Sequence, residues 1–235
     1  MLASSCQVIL GYVYAEDETL IFAILPVKSP QNAKQRLKDF LAVEERETLA
    51  RILYRQTLAA LCQAKGIDRV IVVTSDFEAA EHARRAGALV FEENEQVSHS
   101  VSADAACLRA MELGASTVLL VPIDVPTVTP ADFSELAAAA RLAPDKPGLI
   151  VVPSSDGTGT NALVRTPPDC IESRFGPGSC RKHLDQALSK GLPADVLRLP
   201  GLMFDIDTPE DVAELLALAR ECQVSSFLRT ACAGK

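Results

Sequence analysis

The strongest constraint on this 235-residue chain is an alternation. Short, continuous apolar runs are separated by stretches of helical periodicity. The runs are residues 20–27, 69–74, 88–91, 117–121, 149–152, 161–164 and 196–199. Runs that are apolar throughout, rather than at every second residue, suit strands covered on both faces. The stretches between them carry helix signals. Residues 44–64 place Leu49, Leu53, Ala60 and Leu61 on one face. Thr129-Pro130-Ala131-Asp132 and Thr208-Pro209-Glu210-Asp211 each offer a capping hydroxyl followed by a first-turn proline. After the second, Val212, Leu215, Leu216 and Ala219 form a stripe at i, i+3, i+4 and i+7. The alternation predicts one α/β domain, with a mostly parallel sheet sandwiched by helices in a Rossmann-like arrangement. Its expected bounds are 20–219. Residues 1–19 read as an N-terminal extension and 220–235 as a C-terminal tail.

Composition narrows the function. Hydrophobic residues make up 48% of the chain, enough for a sizeable core. The net charge of −8 argues against a nucleic-acid surface, which needs a basic face. It leaves room for a small anionic ligand held by a local basic loop or a metal ion. The seven cysteines are scattered and form no C-x-x-C pair, so they read as reduced thiols used in core packing. No apolar run reaches the length of a membrane span. These features predict a cytoplasmic protein.

In an open parallel sheet, ligands bind beyond the carboxyl ends of the strands, so the loops after the strands carry the candidate chemistry. The loop after the first run, residues 26–37, places Lys28, Lys34 and Arg36 within nine residues of an acidic protein, a natural partner for a triphosphate. A solvated loop would look the same by composition. Asp124 follows the fourth run in Val121-Pro122-Ile123-Asp124. Thr129 already supplies the next helix cap, which leaves Asp124 free to bind a cation. In Phe204-Asp205-Ile206-Asp207, the two carboxylates share one face of an extended segment. They repel each other unless a cation or a proton lies between them, and magnesium is the usual cation. Two glycine-rich segments complete the set: Asp156-Gly157-Thr158-Gly159-Thr160-Asn161, and Phe175-Gly176-Pro177-Gly178-Ser179, which runs into a helix. Backbone N–H groups and a helix N-terminus there predict an anion site, with two plain tight turns as the alternative.

Taken in order, Pro26-Val27-Lys28, Lys34-x-Arg36-Leu37, Val73-x-x-Asp76, Val121-Pro122-x-Asp124-x-Pro126, the G-T-G-T-N-A-L segment from Gly157, F-G-P-G-S from Phe175 and D-I-D-T-P-E-D from Asp205 resemble the 2-phospho-L-lactate guanylyltransferases (the CofC/FbiD type). The resemblance covers about residues 20–219 and implies the fold of the MobA-like nucleotidyltransferases. It further implies condensation of GTP with 2-phospholactate, phosphoenolpyruvate or 3-phosphoglycerate, with release of pyrophosphate, in making the deazaflavin coenzyme F420. Magnesium is the implied cofactor, on Asp124, Asp205 and Asp207. The nucleotide would lie near Pro26, Lys28, Lys34, Arg36, Asp76 and Ser100, with Lys28 and Asp124 at the reaction centre. Thr160, Asn161, Phe175, Gly176, Gly178 and Ser179 would hold the acid. The family usually carries a Leu-Asn pair where this chain has Ser98-His99-Ser100-Val101-Ser102, close to the expected place of the base. The implied partners are GTP and a small phosphorylated carboxylic acid, with no nucleic acid and no membrane. A homodimer stays open, and the product would pass to a downstream transferase of the same pathway. His183 suits either an acid contact or a capping or surface role, while His82 and His99 read as structural or surface residues. The competing readings are another MobA-like nucleotidyltransferase, a glycosyltransferase using D-x-D, and a nucleotide-binding regulator without catalysis.

Overall fold

The computed structural model describes residues 19–30, 33–93, 98–142, 147–218 and 221–233. Residues 1–18, nearly all of the expected N-terminal extension, lie outside these, as do Gln31 and Asn32 of the first loop. The apolar runs form one seven-stranded sheet: β1 Ile21–Val27, β2 Arg69–Thr74, β3 Leu89–Glu92, β4 Thr117–Leu120, β5 Gly148–Pro153, β6 Thr160–Thr166 and β7 Ala194–Val196. Its order is β3-β2-β1-β4-β6-β5-β7. Neighbours pair in parallel except where β6 meets β4 and β5, so the expected mostly parallel sheet is present with one reversed strand. The last run is shifted. It was expected at 196–199, but β7 ends at Val196, because Leu199 caps a short helix that opens with Pro200.

Eight helices follow the order of the described chain: α1 Val43–Gln63, α2 Phe77–Arg85, α3 His99–Glu112, α4 Pro130–Arg141, α5 Ser179–Ser189, α6 Pro200–Met203, α7 Pro209–Ala217 and α8 Gln223–Cys232. Both Thr-Pro starts are true capping boxes. Thr129 and Thr208 accept the N–H of Asp132 and Asp211, whose carboxylates accept the two threonine N–H groups in return.

Packing explains why the strands are continuously apolar. Ile21, Ala23 and Leu25 of β1 face one core with Leu58 of α1 and Phe133 of α4, while Phe22 and Ile24 face the other with Ala106 and Ala110 of α3. A third cluster lies outside the first. Leu49 and Leu53 of α1 turn away from the sheet to meet Ile206, Val212 and Leu215 of the α7 region and Val224 and Leu228 of α8. Helix α1 therefore buries two faces rather than the single stripe expected from its sequence, because it is a middle layer. The segment 220–235, expected as a trailing tail, instead contributes α8 to this cluster, since Val224, Phe227 and Leu228 form one apolar stripe. Among the cysteines, Cys107 and Cys180 are buried as expected, but Cys62 is exposed.

Leu228 has no solvent exposure. Leu228→Ala is expected to lower the unfolding free energy by about 2–5 kcal/mol, the range for a large core truncation. Urea denaturation measures this, and a wild-type midpoint would mean that α8 is not packed as described.

Candidate active site

A cleft of about 830 Å³ opens at the carboxyl edge of the sheet, over β1 and β4, where the strand order turns back on itself. The reversed strand matters here. Because β6 runs antiparallel to β4 and β5, its first residues, Thr160 and Asn161, lie at the same edge as the ends of its neighbours. The Ser154–Gly159 turn joining β5 to β6 therefore opens into the cleft. Asp156 ties this turn: it accepts from Ser154 Oγ at 2.5 Å, Thr158 N at 2.9 Å and Thr158 Oγ1 at 2.8 Å. Those bonds, that of Ser154 foremost, lower its pKa to about 2.

Three carboxylates meet on the cleft floor. Ile206 is fully buried in the outer cluster and donates its N–H to the Asp124 carbonyl at 3.1 Å, which draws the Asp205–Asp207 segment against the end of β4. Asp207 N donates to the Asp211 carboxylate at 2.8 Å, so the capping box of α7 also fixes Asp207. Asp205 is held by Asn161, whose Nδ2 donates to Leu202 O at 3.0 Å, Met203 O at 2.9 Å and Asp205 Oδ1 at 3.1 Å. Burial, together with the charges of Asp207 and Asp124, raises the pKa of Asp205. Burial likewise raises that of Asp207, against the opposing charge of Lys34.

Lys34 lies between two of these carboxylates. Its ammonium bonds Asp124 Oδ1, donates to Ile206 O at 2.6 Å and lies 3.4 Å from Asp207 Oδ1, with its side chain only 3% exposed. Burial opposes its charge, but Asp124 and Asp207 outweigh it and raise the pKa above the ordinary lysine value. The backbone at Lys34 has φ +51°, the only left-handed non-glycine among the described residues, at a cost of about 1 kcal/mol or more that the ammonium contacts offset. Arg46 supports the bend through a 3.1 Å bond to Ala33 O. Arg36, mostly exposed, lies 3.5 Å from Asp207 Oδ2. Lys28 is exposed at the cleft wall and makes no ion pair with any described residue. The donor set of Asp124, Asp205 and Asp207 has the hard-oxygen chemistry that magnesium takes. However, among the described residues no cluster of three acidic, imidazole or thiol groups is drawn tight enough to form a ready cage.

Across the floor, Cys180 N donates to Thr158 O at 3.1 Å and joins the two glycine-rich segments, while Ser179 N closes the second on itself by donating to Gly176 O at 3.0 Å. Two N–H groups at the start of α5 are thus already used, so this helix end offers fewer donors than its sequence suggested. Gly176 and Gly178 have φ of +111° and +68°, and a Cβ on either would meet nothing within 4 Å. Glycine is required at these two positions by backbone conformation, not by close approach to a neighbour. Buried His183 links the segments. Its Nε2 accepts from Arg174 N at 2.9 Å, so the proton of the neutral ring lies on Nδ1 and is donated to Thr160 Oγ1 at 3.1 Å. Burial, assisted by Arg165, lowers its pKa to about 4. Behind them, fully buried Arg165 donates to Asp104 at 2.9 Å and bonds Ser173, while Ser173 N donates to Asp104 at 3.0 Å, bracing the Phe175 segment on α3.

Most of the expected site residues line this one cleft: Pro26, Lys28, Lys34, Arg36 and Ser100 on the expected nucleotide side, the three aspartates on the floor, and Thr160, Asn161, Phe175, Gly176 and Ser179 beyond. Two do not. Asp76 caps α2, accepting Ala79 N at 2.8 Å, and lies behind the cleft wall. Gly178 shapes the turn without lining the cavity. Three others have different work from that expected. Lys34 is bound to the carboxylates, Asn161 positions Asp205, and the Ser100 hydroxyl oxygen accepts Phe175 N at 3.2 Å. His99, read as structural or surface, lines the cleft and packs in a T-shape against Phe175, with ring centroids 4.9 Å apart. Burial and the charge of Lys28 lower its pKa. His183 is neither a cap nor a surface group. Nothing in a single sequence signals these histidine contacts, which depend on α3 and α5 meeting at Phe175.

The fold is a layered α/β fold shared with solved proteins. The chain superposes on a solved putative nucleotide-diphospho-sugar transferase from Desulfovibrio desulfuricans with a TM-score of 0.69, at 16% identity, over 91% of this chain and 95% of that one. The chain belongs to the guanylyl transferase CofC-like family, whose model matches residues 21–232. It is 41% identical over 193 residues to a phosphoenolpyruvate guanylyltransferase of Sphaerobacter thermophilus, covering 82% of this chain and 91% of the relative. It is 30% identical over 210 residues to a 2-phospho-L-lactate guanylyltransferase of Methanothermobacter thermautotrophicus, covering 88% and 89%.

The lowered pKa of His183 makes a pH prediction. The folded chain keeps the ring neutral down to about pH 4, whereas the unfolded chain protonates it near 6.5. Unfolded protein thus binds the extra proton, and the contribution of His183, present in full above about pH 6.5, is lost as pH falls toward 4. The full loss is roughly 3 kcal/mol, at 1.36 kcal/mol per pH unit. His183→Gln is expected to flatten the melting temperature between those pH values relative to wild type. Parallel curves would show that His183 does not stay neutral in the fold.

Proposed function

We propose that this chain transfers a guanylyl group from GTP to the phosphate of a small phosphorylated carboxylic acid. An acceptor phosphate oxygen attacks the α-phosphorus of GTP, the bond from that phosphorus to the bridging β-phosphate oxygen breaks, and pyrophosphate departs, leaving the acid as a guanosine diphosphate ester. The observation that carries this reading is one cleft in which the carboxylates of Asp124, Asp205 and Asp207 lie between the cationic residue 28–36 loop and the neutral Phe175–Ser179 segment. Family membership supports it.

The attacking phosphate is already anionic, so no base is needed to activate it. The barrier is repulsion between two anions, which positioning and charge stabilisation overcome. Lys28, exposed at the wall, is suited to a charge-assisted contact with the triphosphate. Asp124, Asp205 and Asp207 would hold magnesium, which would neutralise phosphate charge and orient the reacting groups. On the acid side, Thr160 Oγ1 accepts a hydrogen bond from His183 Nδ1–H and keeps its own hydroxyl proton to donate to a ligand, beside Ser179 and the Phe175–Gly178 backbone. Phosphoenolpyruvate is the first acid to test, because the relative at 41% identity is named for it. On this reading the protein works in the cytoplasm on the route to coenzyme F420 and hands its product to a downstream transferase.

The test is pyrophosphate release with GTP, ATP and CTP, each against phosphoenolpyruvate, 2-phospholactate and 3-phosphoglycerate, with product masses. GTP with one of the acids is expected to give the guanylated ester, and no release from any pair would overturn the proposal. In the same assay Lys28→Ala is expected to lower kcat/KM for GTP by roughly tenfold or more, from a charge-assisted contact of about 1.5–3 kcal/mol. An unchanged value would place Lys28 outside the phosphate site.

A further inference from the structure

Lys34 occupies the place where a cation belongs. Its ammonium touches Asp124, Asp207 and the Ile206 carbonyl, it is nearly sealed from water, and the backbone is bent into the left-handed region to bring it there. No other ammonium or guanidinium among the described residues is buried against these carboxylates. Arg36, the next nearest cation, is 67% exposed and screened by water.

We infer that Lys34 is the built-in counter-cation of the free site and competes with a divalent metal for Asp124 and Asp207. This rests on the proposed metal role of those aspartates and adds how the site is loaded. An ammonium and a dication sharing the same carboxylates repel each other, so metal can enter only as Lys34 leaves. A freed ammonium in a buried cleft needs a new anion. The phosphates of an incoming nucleotide supply one, whereas metal alone does not. Lys34 therefore couples the two events: the free protein holds metal weakly, and metal enters together with nucleotide, whose phosphates take over the ammonium. Lys34 is on this account a positioning residue for the floor when the cleft is empty and a phosphate contact when it is filled.

The test is Mn²⁺ binding to the full chain, read by electron paramagnetic resonance of free Mn²⁺, with and without the non-hydrolysable α,β-methylene analogue of GTP. Without nucleotide, Lys34→Met and Lys34→Gln are each expected to bind Mn²⁺ at least tenfold more tightly than wild type. With the analogue, wild type is expected to gain affinity by more than either variant does. Equal Mn²⁺ affinity of wild type and folded variants without nucleotide would overturn the inference while leaving the metal assignment intact. Absence of Mn²⁺ binding to any protein, even with the analogue, would overturn both. The wild-type chain gives a second readout that does not depend on the variants folding. The Lys34 ammonium signal in a ¹H–¹⁵N spectrum is expected to stay in place with Mg²⁺ alone and to move with Mg²⁺ plus the analogue. A signal that shifts fully with Mg²⁺ alone, or never shifts, contradicts the coupling.

Discussion

Three carboxylates gathered on one half-buried floor repel one another, and the site persists because an internal cation lies among them. Lys34 meets that need in the free chain, bonding Asp124 and standing close to Asp207. The surrounding architecture keeps the floor in place. Ile206 anchors the middle of the acidic segment in the outer core and ties it to the Asp124 carbonyl. The α7 capping box reaches back to Asp207, and Asn161 holds Asp205. None of the three carboxylates depends on its own rotamer preference alone.

The other wall depends on strand direction. Reversing β6 brings its first residues to the carboxyl edge of parallel neighbours, so the Ser154–Gly159 turn and the start of α5 flank the aspartates. His183 and the Arg165–Asp104 pair then tie the Phe175 segment to α3 and β6. Arg165 is buried while Asp104 stays partly exposed, so the pair costs chiefly the desolvation of the guanidinium, and its return is geometry more than stability. It fixes a loop that would otherwise be held only by its two glycine turns.

The sheet was legible because strands buried on both faces are apolar throughout, and the Thr-Pro helix starts because capping is a local interaction. That the aspartates and the two glycine-rich segments gather at one cleft was legible for the same reason, since residues of these types in loops after strands are a local pattern. What escaped depends on distant contacts. Asp76 looked like a ligand-facing residue after a strand, but Ala79 N claims it. Residues 220–235 looked peripheral until Leu49 and Leu53 of α1 were seen to need a partner on the side away from the sheet. Lys34 read as a phosphate ligand by charge, and only the fold shows it bound to carboxylates. The reversed strand and the T-shaped contacts of Phe175 with His99 and, at 5.3 Å between ring centroids, with His183 leave no mark in hydrophobic periodicity.

The central claim is that the Asp124–Lys34 contact holds the empty site together, and a double-mutant cycle tests it most directly. Wild type, Lys34→Met, Asp124→Asn and the double variant would be unfolded in urea with chelator present and nucleotide absent. The account predicts that losing Lys34 costs less once Asp124 is gone, with a coupling energy of about 1 kcal/mol or more, as for residues in direct contact. Additivity within about 0.3 kcal/mol would contradict it, and would mean that the two charges do not hold each other in the free protein.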